Sequence, residues 1–436
     1  MPKRLVLAGG GHAHLMTLSR LRDFHAAGIA VTCVSPSPFL HYSGMGPGML
    51  SGRYAPEDIQ FHIEGMFAVG SQEEEDASGG QEAGDASGGQ KGRRPFWTSP
   101  PGGMIPPGPR QLKRGERAGN AKEGQGAANA LTGFVRGAVA GIDPQNKLLL
   151  LADGRGVPYD AVSFGLGSVV AASFSVAESP ETGVYPVKPI ENLLAARRGI
   201  ESRVAAGREV RVVVAGGGPT GFEAAGNVLA LLAHLGVKRP LVTVAAKRGL
   251  LPDWPAKGGR LALRSLTRRG ARVLPATVLR VREGQVELSD GTREVCDVLF
   301  ISTGTRPPEL FTQCGLTADA DGGLAVNAYL QSPFFPEIFG GGDCISFSPA
   351  PLPRAGVYAV RQGPVLFANL LAFLTGRKLA PFRKTGTNYL TICNCGDGRA
   401  ILRKGPLVAE GKWCMQLKDW IDRRFMRSFP PGPPAP

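Results

Sequence analysis

What this chain lacks narrows its function before anything it contains. Its 436 residues hold only seven cysteines (Cys33, Cys296, Cys314, Cys344, Cys393, Cys395 and Cys414), odd in number, scattered and without a C-x-x-C pair. That excludes a disulfide framework and suits a reducing compartment. Cys393 and Cys395 form the one close pair, and on a strand a single intervening residue turns both thiols to the same face, a poor disulfide geometry. No run of roughly eighteen apolar residues occurs, so no membrane-spanning helix is expected. A first strand from about Arg4 leaves no room for a signal or transit peptide, and the expected location is the cytoplasm. His12, His14 and His41 lack metal-ligand spacing, so no metal is expected and neutral hydrogen-bonding roles are. Acidic residues are short, 36 against 50 Lys and Arg, for a formal charge of +14. No stacking platform or recognition motif accompanies that charge, so nucleic acid is not an expected partner.

Glycine, by contrast, is abundant and placed. Leu5-Val6-Leu7-Ala8-Gly9-Gly10-Gly11-His12-Ala13-His14 and Val212-Val213-Val214-Ala215-Gly216-Gly217-Gly218-Pro219-Thr220-Gly221 each join an apolar strand-like run to a helix-like one. In that setting glycine lets the backbone approach a pyrophosphate at a helix N-terminus. The second turn completes G-x-G-x-x-G with Gly216, Gly218 and Gly221. The first has Gly9 and Gly11, but His14 replaces the third glycine, and helix-on-strand packing is expected to loosen there. Two such turns in one chain point to a flavin and a nicotinamide held close enough for hydride transfer.

Arg4 to Gly11, Tyr159 to Ser168, Val212 to Glu223, Val298 to Thr305 and Ile338 to Cys344 together resemble the pyridine nucleotide-disulfide oxidoreductase superfamily, in its type II NADH dehydrogenase-like branch. Within that branch the chain is most similar to the flavoprotein module sometimes fused to selenophosphate synthetase, through Gly9 to His14, His41-Tyr42-Ser43-Gly44-Met45, Val187-Lys188-Pro189-Ile190 and Leu417 to Met426. No synthetase domain is present. The resemblance implies an α/β fold of two Rossmann-like dinucleotide-binding domains, an FAD domain split by an inserted NAD(P)H domain, with a small C-terminal α+β region. The implied boundaries are 1–70 and 129–177 for the first part of the FAD domain, 178–296 for the NAD(P)H domain, 297–384 for the second FAD part, and 385–436 for a C-terminal hairpin and basic amphipathic helix. Residues 71–128, with Asp76-Ala77-Ser78-Gly79-Gly80-Gln81 repeated from Asp85, read as a disordered low-complexity insertion, either a solvated loop or a partner-docking segment. The Pro-rich tail from Pro430 reads the same way. Gly133 to Ile142 and Lys147 to Leu151 alternate like paired strands.

For FAD, the resemblance implies Gly9, Gly11, His12 and Ala13 at the pyrophosphate, Gly167 nearby, and Asp343 on the ribityl chain. Ser35 stands at the end of the second strand where many relatives present a carboxylate to the ribose. The Tyr42 to Gly48 segment is expected beside the isoalloxazine ring. Lys188 is the candidate cation for flavin electrostatics, the alternative being an exposed lysine before a proline turn. For NAD(P)H, the residues are Gly216, Gly218, Gly221, Lys247, Arg248 and Gly304, which lies between the nucleotides. Glu223 either lines the nicotinamide pocket or is a helix-start carboxylate favoured by the dipole. Lys247 and Arg248, with no carboxylate at that strand end, either accommodate the 2'-phosphate of NADPH or form a solvated turn.

The expected reaction is hydride transfer from NAD(P)H to FAD and onward electron transfer to a quinone or another acceptor. The redox cysteine pair of the disulfide reductases is missing between His41 and Tyr54. The quinone-facing helix motif A-Q-x-A-x-Q-[QE]-G reads Gly356 to Gly363 here, with Val357 and Arg361 in place of both glutamines. Two alternatives stay open: oxidation of sulfide or selenium compounds, which needs reactive thiols, and a redox-sensing nucleotide-binding protein. Residues 377–436 carry twelve Lys and Arg against four Asp and Glu. There Trp413, Leu417, Trp420, Ile421 and Phe425 recur at helical spacing with Lys418, Asp422, Arg423 and Arg427 around them. Such a helix suits a peripheral membrane contact, or packing on its own domain or on the second subunit of a homodimer.

Overall fold

A computed structural model describes residues 2–68, 133–170, 174–176, 182–383 and 388–429. The 71–128 insertion and the Pro430 tail lie outside the described residues.

Two five-stranded parallel sheets organise the chain, and they are laid out alike. In the first, the spatial order is Ile338–Gly340, Ala161–Phe164, Lys3–Ala8, Ile29–Ser35, Gly133–Arg136. In the second it is Gly183–Pro186, Val298–Ile301, Arg211–Ala215, Leu241–Ala245, Arg272–Leu274. Each middle strand is an unbroken apolar run, as burial on both faces of a parallel sheet demands: Leu5 to Ala8 and Val212 to Ala215 are all buried. Each ends at its glycine turn, so both turns emerge at the carboxyl edge of a doubly covered sheet, where ligands of such folds sit.

The helix after the second turn, Pro219–His234, is long and regular. Proline suits its first turn, Gly221, Ala224 and Ala225 let it lie close on the sheet, and Gly236 at φ +78° ends it. The helix after the first turn is only Leu15–Leu18, followed by Leu21–His25.

Strand pairing revises three of the sequence readings. Gly133–Arg136 does not pair with its neighbour in sequence but extends the first sheet beside Ile29–Ser35, leaving Val139–Asp143 to pair with Leu148–Leu151. Val298–Ile301 belongs to the second sheet, so that sheet runs past 296. The C-terminal hairpin is a three-stranded antiparallel sheet, Thr391–Asn394, Ala400–Lys404 and Leu407–Gly411. Among the described residues, one helix, Gly356–Leu374, is long and apolar enough by composition to cross a bilayer. It is a core helix: Val357, Gln362, Leu366, Asn369 and Leu370 are buried, and Asn369 bonds the Tyr329 and Ala380 carbonyls.

The C-terminal helix, Lys412–Met426, turns a different face inward than its apolar spacing predicts. Cys414, Met415, Lys418, Asp422 and Phe425 are buried, while Trp413 and Trp420 are 53% and 56% exposed. Lys418 and Asp422 satisfy each other and neighbouring groups inside, so the charges go in and the indoles stay out.

Candidate functional site

Gly9 and Gly11 shape the first turn because the backbone behind them leaves no room. A Cβ on Gly11 would stand 2.2 Å from the Gly165 carbonyl oxygen, and one on Gly9, which has φ +93°, 2.9 Å from it. The Gly9 N–H donates to the Val34 carbonyl (2.8 Å), which ties the turn to the strand ending at Ser35. Ser35 is buried there, and Ala13 backs closely on Gly341 and Gly363.

His14 does not loosen the packing. Its ring is fully buried, and Nδ1 lies 2.6 Å from the Gly9 carbonyl while Nε2 lies 2.9 Å from Ser163 Oγ. A carbonyl only accepts, so Nδ1 carries the hydrogen and Ser163 donates to Nε2. Burial pushes its pKa down to about 4, partly offset by the Gly9 bond, and the ring is neutral. Space for it comes from across the turn, where a Cβ on Gly165 would meet the imidazole at 2.7 Å.

His12 is buried as well, yet neither ring nitrogen has a partner among the described residues. It stacks on Phe425 (6.2 Å) and lies 5.7 Å from the Tyr42 ring. Burial lowers its pKa to about 4, with Asp343 opposing and Lys188 adding to the effect. An unpaired buried imidazole beside a glycine cradle is the environment a dinucleotide phosphate or ribityl group would complete, so the residues present fit FAD.

Asp343 and Lys188, read separately from the sequence, are brought together. Lys188 Nζ donates to Asp343 Oδ2 and to Ser168 Oγ, both at 3.0 Å, and Ser168 donates to Asp343 Oδ2 at 2.9 Å. Ser168 was missed as a site residue, although it directly follows Gly167, whose φ is +70°. Lys188 is therefore mostly buried in an ion pair and is not an exposed turn lysine.

At the second turn the contacts are tighter still. A Cβ on Gly221 would lie 2.1 Å from the Gly216 carbonyl oxygen, and one on Gly216 (φ +116°) 2.3 Å from that of Ser302. Gly218 and Gly304 face open space. Gly218 caps the 16-residue helix whose free N–H groups and dipole favour an anion. Lys247 and Arg248 are exposed at the end of Leu241–Ala245, but a carboxylate does stand there: Asp253 takes Arg248 Nη2 at 2.5 Å. Sequence spacing hid it, because Asp253 is five residues beyond the expected position.

Glu223 turns toward the C-terminal region. Its Oε1 accepts the Asn394 N–H (2.8 Å), and Asn394 also reaches Asn227 on the same helix. Burial raises its pKa to about 7 against the pull of Lys418 and the Asn394 bond. Lys418 Nζ donates to Asp422 Oδ2 (2.9 Å) and to the Gly44 carbonyl (2.6 Å), and the Tyr42 hydroxyl donates to Asp422 Oδ1 (3.0 Å). Burial disfavours the Lys418 charge, but Asp422 and Glu223 outweigh it and hold its pKa above the ordinary value. The Tyr42 to Gly48 segment is thus clamped by the C-terminal helix. Lys and Asp four residues apart in Leu417 to Met426 were the available signal, masked by the tryptophans beside them.

The profile of the pyridine nucleotide-disulphide oxidoreductase family matches residues 3–363. The chain is similar to the mitochondrial internal alternative NAD(P)H-ubiquinone oxidoreductase A1 of Arabidopsis thaliana, 27% identical over 174 residues, 37% of this chain and 34% of that protein. It is also similar to ferroptosis suppressor protein 1 of Taeniopygia guttata, 24% identical over 279 residues, 61% of this chain and 70% of that one. The chain thus spans about a third of the plant relative's length. The sulfide:quinone oxidoreductase of the hyperthermophilic bacterium Aquifex aeolicus shares the fold, with a TM-score of 0.68 over 100% of this chain and 93% of that one at 15% identity.

Proposed function

The chain belongs to the pyridine nucleotide-disulphide oxidoreductase family, and from that premise we propose that it is an FAD-dependent NAD(P)H oxidoreductase whose electrons pass to a quinone. The observation that carries this reading is the duplicated cradle: two matching parallel sheets, each ending its middle strand in a glycine turn where a Cβ at two of the glycines, Gly9 and Gly11 in one and Gly216 and Gly221 in the other, would strike a backbone carbonyl oxygen. When bound, the flavin supplies hydride acceptance and onward electron transfer.

The protein's part is positioning and charge. Gly9 and Gly11 open the first turn to the flavin diphosphate, His12 offers a neutral ring for a hydrogen bond, and the Ser168–Asp343–Lys188 triangle sets the ribityl side. The Lys188 ammonium, shielded from water, would stabilise negative charge on a bound flavin. Gly216, Gly218 and the N-terminus of Pro219–His234 receive the nicotinamide nucleotide diphosphate. Asp253 beside Arg248 offers a carboxylate to a ribose hydroxyl, and Lys247 a cation to a 2'-phosphate, so both coenzymes are substrates to test.

A membrane surface is the proposed place of the acceptor. Trp413 and Trp420 point outward, with Arg424 5.3 Å over the Trp420 ring, a combination suited to an interface. Deleting 411–436 should abolish sedimentation with anionic liposomes; if the wild type instead pairs in solution through this face, the face belongs to a homodimer.

Sulfide or selenium oxidation is the weaker reading, because it requires a reactive thiolate. Burial pushes Cys33, Cys296, Cys344 and Cys395 up to about 12 and Cys393 well above its ordinary value.

Anaerobic titration of the flavin-loaded protein with NADH and with NADPH, followed by a soluble quinone, tests the proposal. Bleaching by one nucleotide and recovery with quinone supports it. A flavin that neither nucleotide reduces overturns it.

A further inference from the structure

Arg269, just past the end of the helix Ala256–Thr267, makes a bridge that no part of the proposed reaction uses. Its guanidinium donates to three main-chain carbonyls: Nε to Ser265 (2.9 Å), Nη1 to Gly226 (3.1 Å) and Nη2 to Cys395 (2.7 Å). Gly226 belongs to Pro219–His234, the helix that begins at the second glycine turn, and Cys395 follows Thr391–Asn394 of the C-terminal sheet. The two backbones touch there. A Cβ on Gly226 would stand 2.5 Å from the Cys395 carbonyl oxygen, and one on Gly396, at φ +83°, 2.1 Å from the Gly226 carbonyl oxygen. A planar guanidinium with donors in a fixed fork holds two carbonyls at one spacing, which the point charge of a lysine cannot do. One turn nearer the glycine cradle, Glu223 and Asn227 hold Asn394 of the same run.

The other end of the C-terminal region grips the flavin side. Cys414 and Met415 of Lys412–Met426 bury against Ala400 and Leu402, so sheet and helix form one body. That helix holds the Gly44 carbonyl through Lys418 and the Tyr42 hydroxyl through Asp422. A continuous run of packed groups therefore joins the helix behind the nicotinamide cradle to the segment read as lying beside the isoalloxazine ring. The two sides also meet directly, where Gly46–Leu50 packs on Pro219–His234, so the run tightens a contact that already exists.

We propose that Arg269 is a positioning residue: with Gly226 and Gly396 it welds the nicotinamide-side helix to the C-terminal region, and through that region it sets the spacing of the two nucleotide cradles. Hydride transfer needs reacting atoms about 3–3.5 Å apart, so a small shift of one cradle against the other slows it while each cradle still binds. The inference rests on the reading of the protein as an FAD-dependent NAD(P)H oxidoreductase.

Arg269→Met keeps the aliphatic stem and removes the fork, Arg269→Lys returns the charge without the fork, and Gly396→Ala wedges the same contact from the other side. Four measurements on the flavin-loaded protein compare them with the wild type: hydrogen exchange over residues 42–48, FAD dissociation constant, the rate of flavin bleaching at saturating NADH or NADPH, and the rate at which ferricyanide reoxidises dithionite-reduced flavin. In Arg269→Met and Gly396→Ala, exchange over 42–48 should quicken and bleaching slow by roughly tenfold, with FAD affinity and reoxidation unchanged. Arg269→Lys should fall between. Wild-type bleaching in Arg269→Met would overturn the proposal, and so would FAD affinity and reoxidation lost in step with bleaching, which marks a general loss of structure. Should Arg269→Met not fold, Arg269→Lys and Gly396→Ala carry the same comparison. A wild type whose flavin neither nucleotide reduces ends the oxidoreductase reading instead, and exchange over 42–48 then decides the weld by itself.

Discussion

The two glycine turns solve one packing problem with opposite allocations of bulk. At the second, Gly221 closes the fingerprint and the facing strand exit can carry a side chain, Ser302. At the first, bulk sits inside the turn as His14, and the facing exit is Gly165, which a Cβ would drive into the imidazole. Equivalent closeness is reached from either side. The first solution, however, brings a neutral ring that binds the Gly9 carbonyl and Ser163, where the second has only contact. A departure from the motif at one position is thus compensated across the turn, and the pair must be read together. The surroundings differ too. The first turn lies under Phe425 of the C-terminal helix, whereas the second meets the C-terminal region farther along its helix, through Glu223 and Asn394.

The largest break should come from that roof. Lys418→Met strands Asp422 as a buried unpaired charge, and a loss of about 3–5 kcal/mol is expected, with flavin released before the second sheet unfolds. Urea unfolding followed by flavin fluorescence and circular dichroism measures both, and a wild-type midpoint would show that the pair does not hold the roof. Next, Gly11→Ala and Gly221→Ala force a Cβ against backbone oxygen, costing about 1–3 kcal/mol each. They should separate the functions: Gly11→Ala loses flavin, and Gly221→Ala retains flavin but loses NAD(P)H affinity, read by equilibrium titration. Loss of both ligands in both variants would deny the turns their separate assignments.

His14→Gly restores the fingerprint yet should destabilise by about 2–4 kcal/mol, since it opens a cavity and orphans the Ser163 hydroxyl. Adding Gly165→Ser should recover part of the loss, whereas Gly165→Ser alone should be harmful. A double-mutant cycle by denaturant midpoint measures this coupling, and additivity would break the comparison.

The last comparison is in pH. His12 and His14 have folded pKa values near 4, below the ordinary 6.5, so the stability of their neutral forms is present above 6.5 and is lost as pH falls toward 4. Glu223 behaves oppositely: its pKa is raised from 4.5 to about 7, so its contribution is full below 4.5 and lost as pH rises through 7. Relative to the wild type, His14→Gln should flatten the acid limb and Glu223→Gln the limb between 4.5 and 7. A wild-type profile retained in both variants would reassign the titrations.

Much of this architecture was legible in residue order. Apolar runs ending in glycine, and Asp343 after its own run, can do little but form parallel strands and tight turns, because backbone sterics and burial act locally. The site was legible only as separate residues. Nothing near Lys188 in sequence announces Asp343, 155 positions away, and nothing near Arg248 marks Asp253 as its partner. The C-terminal helix misled, because apolar spacing predicts which face is buried only when the buried face is apolar. Here Lys418 and Asp422 neutralise each other inside.

By itself, then, the sequence determined where strands end in glycine, how the two halves repeat, and which residue types were on hand for two dinucleotides. Those features follow from propensity, sterics and hydrophobic pattern within a few residues. Only the tertiary structure decided that Gly165 makes room for His14, that Lys188 is held by Asp343 and Ser168, that Glu223 meets Asn394, and that the tryptophans of the last helix face outward. Each of these joins groups from separate stretches of chain, and complementary bulk or charge becomes an interaction only once folding has placed it within contact distance.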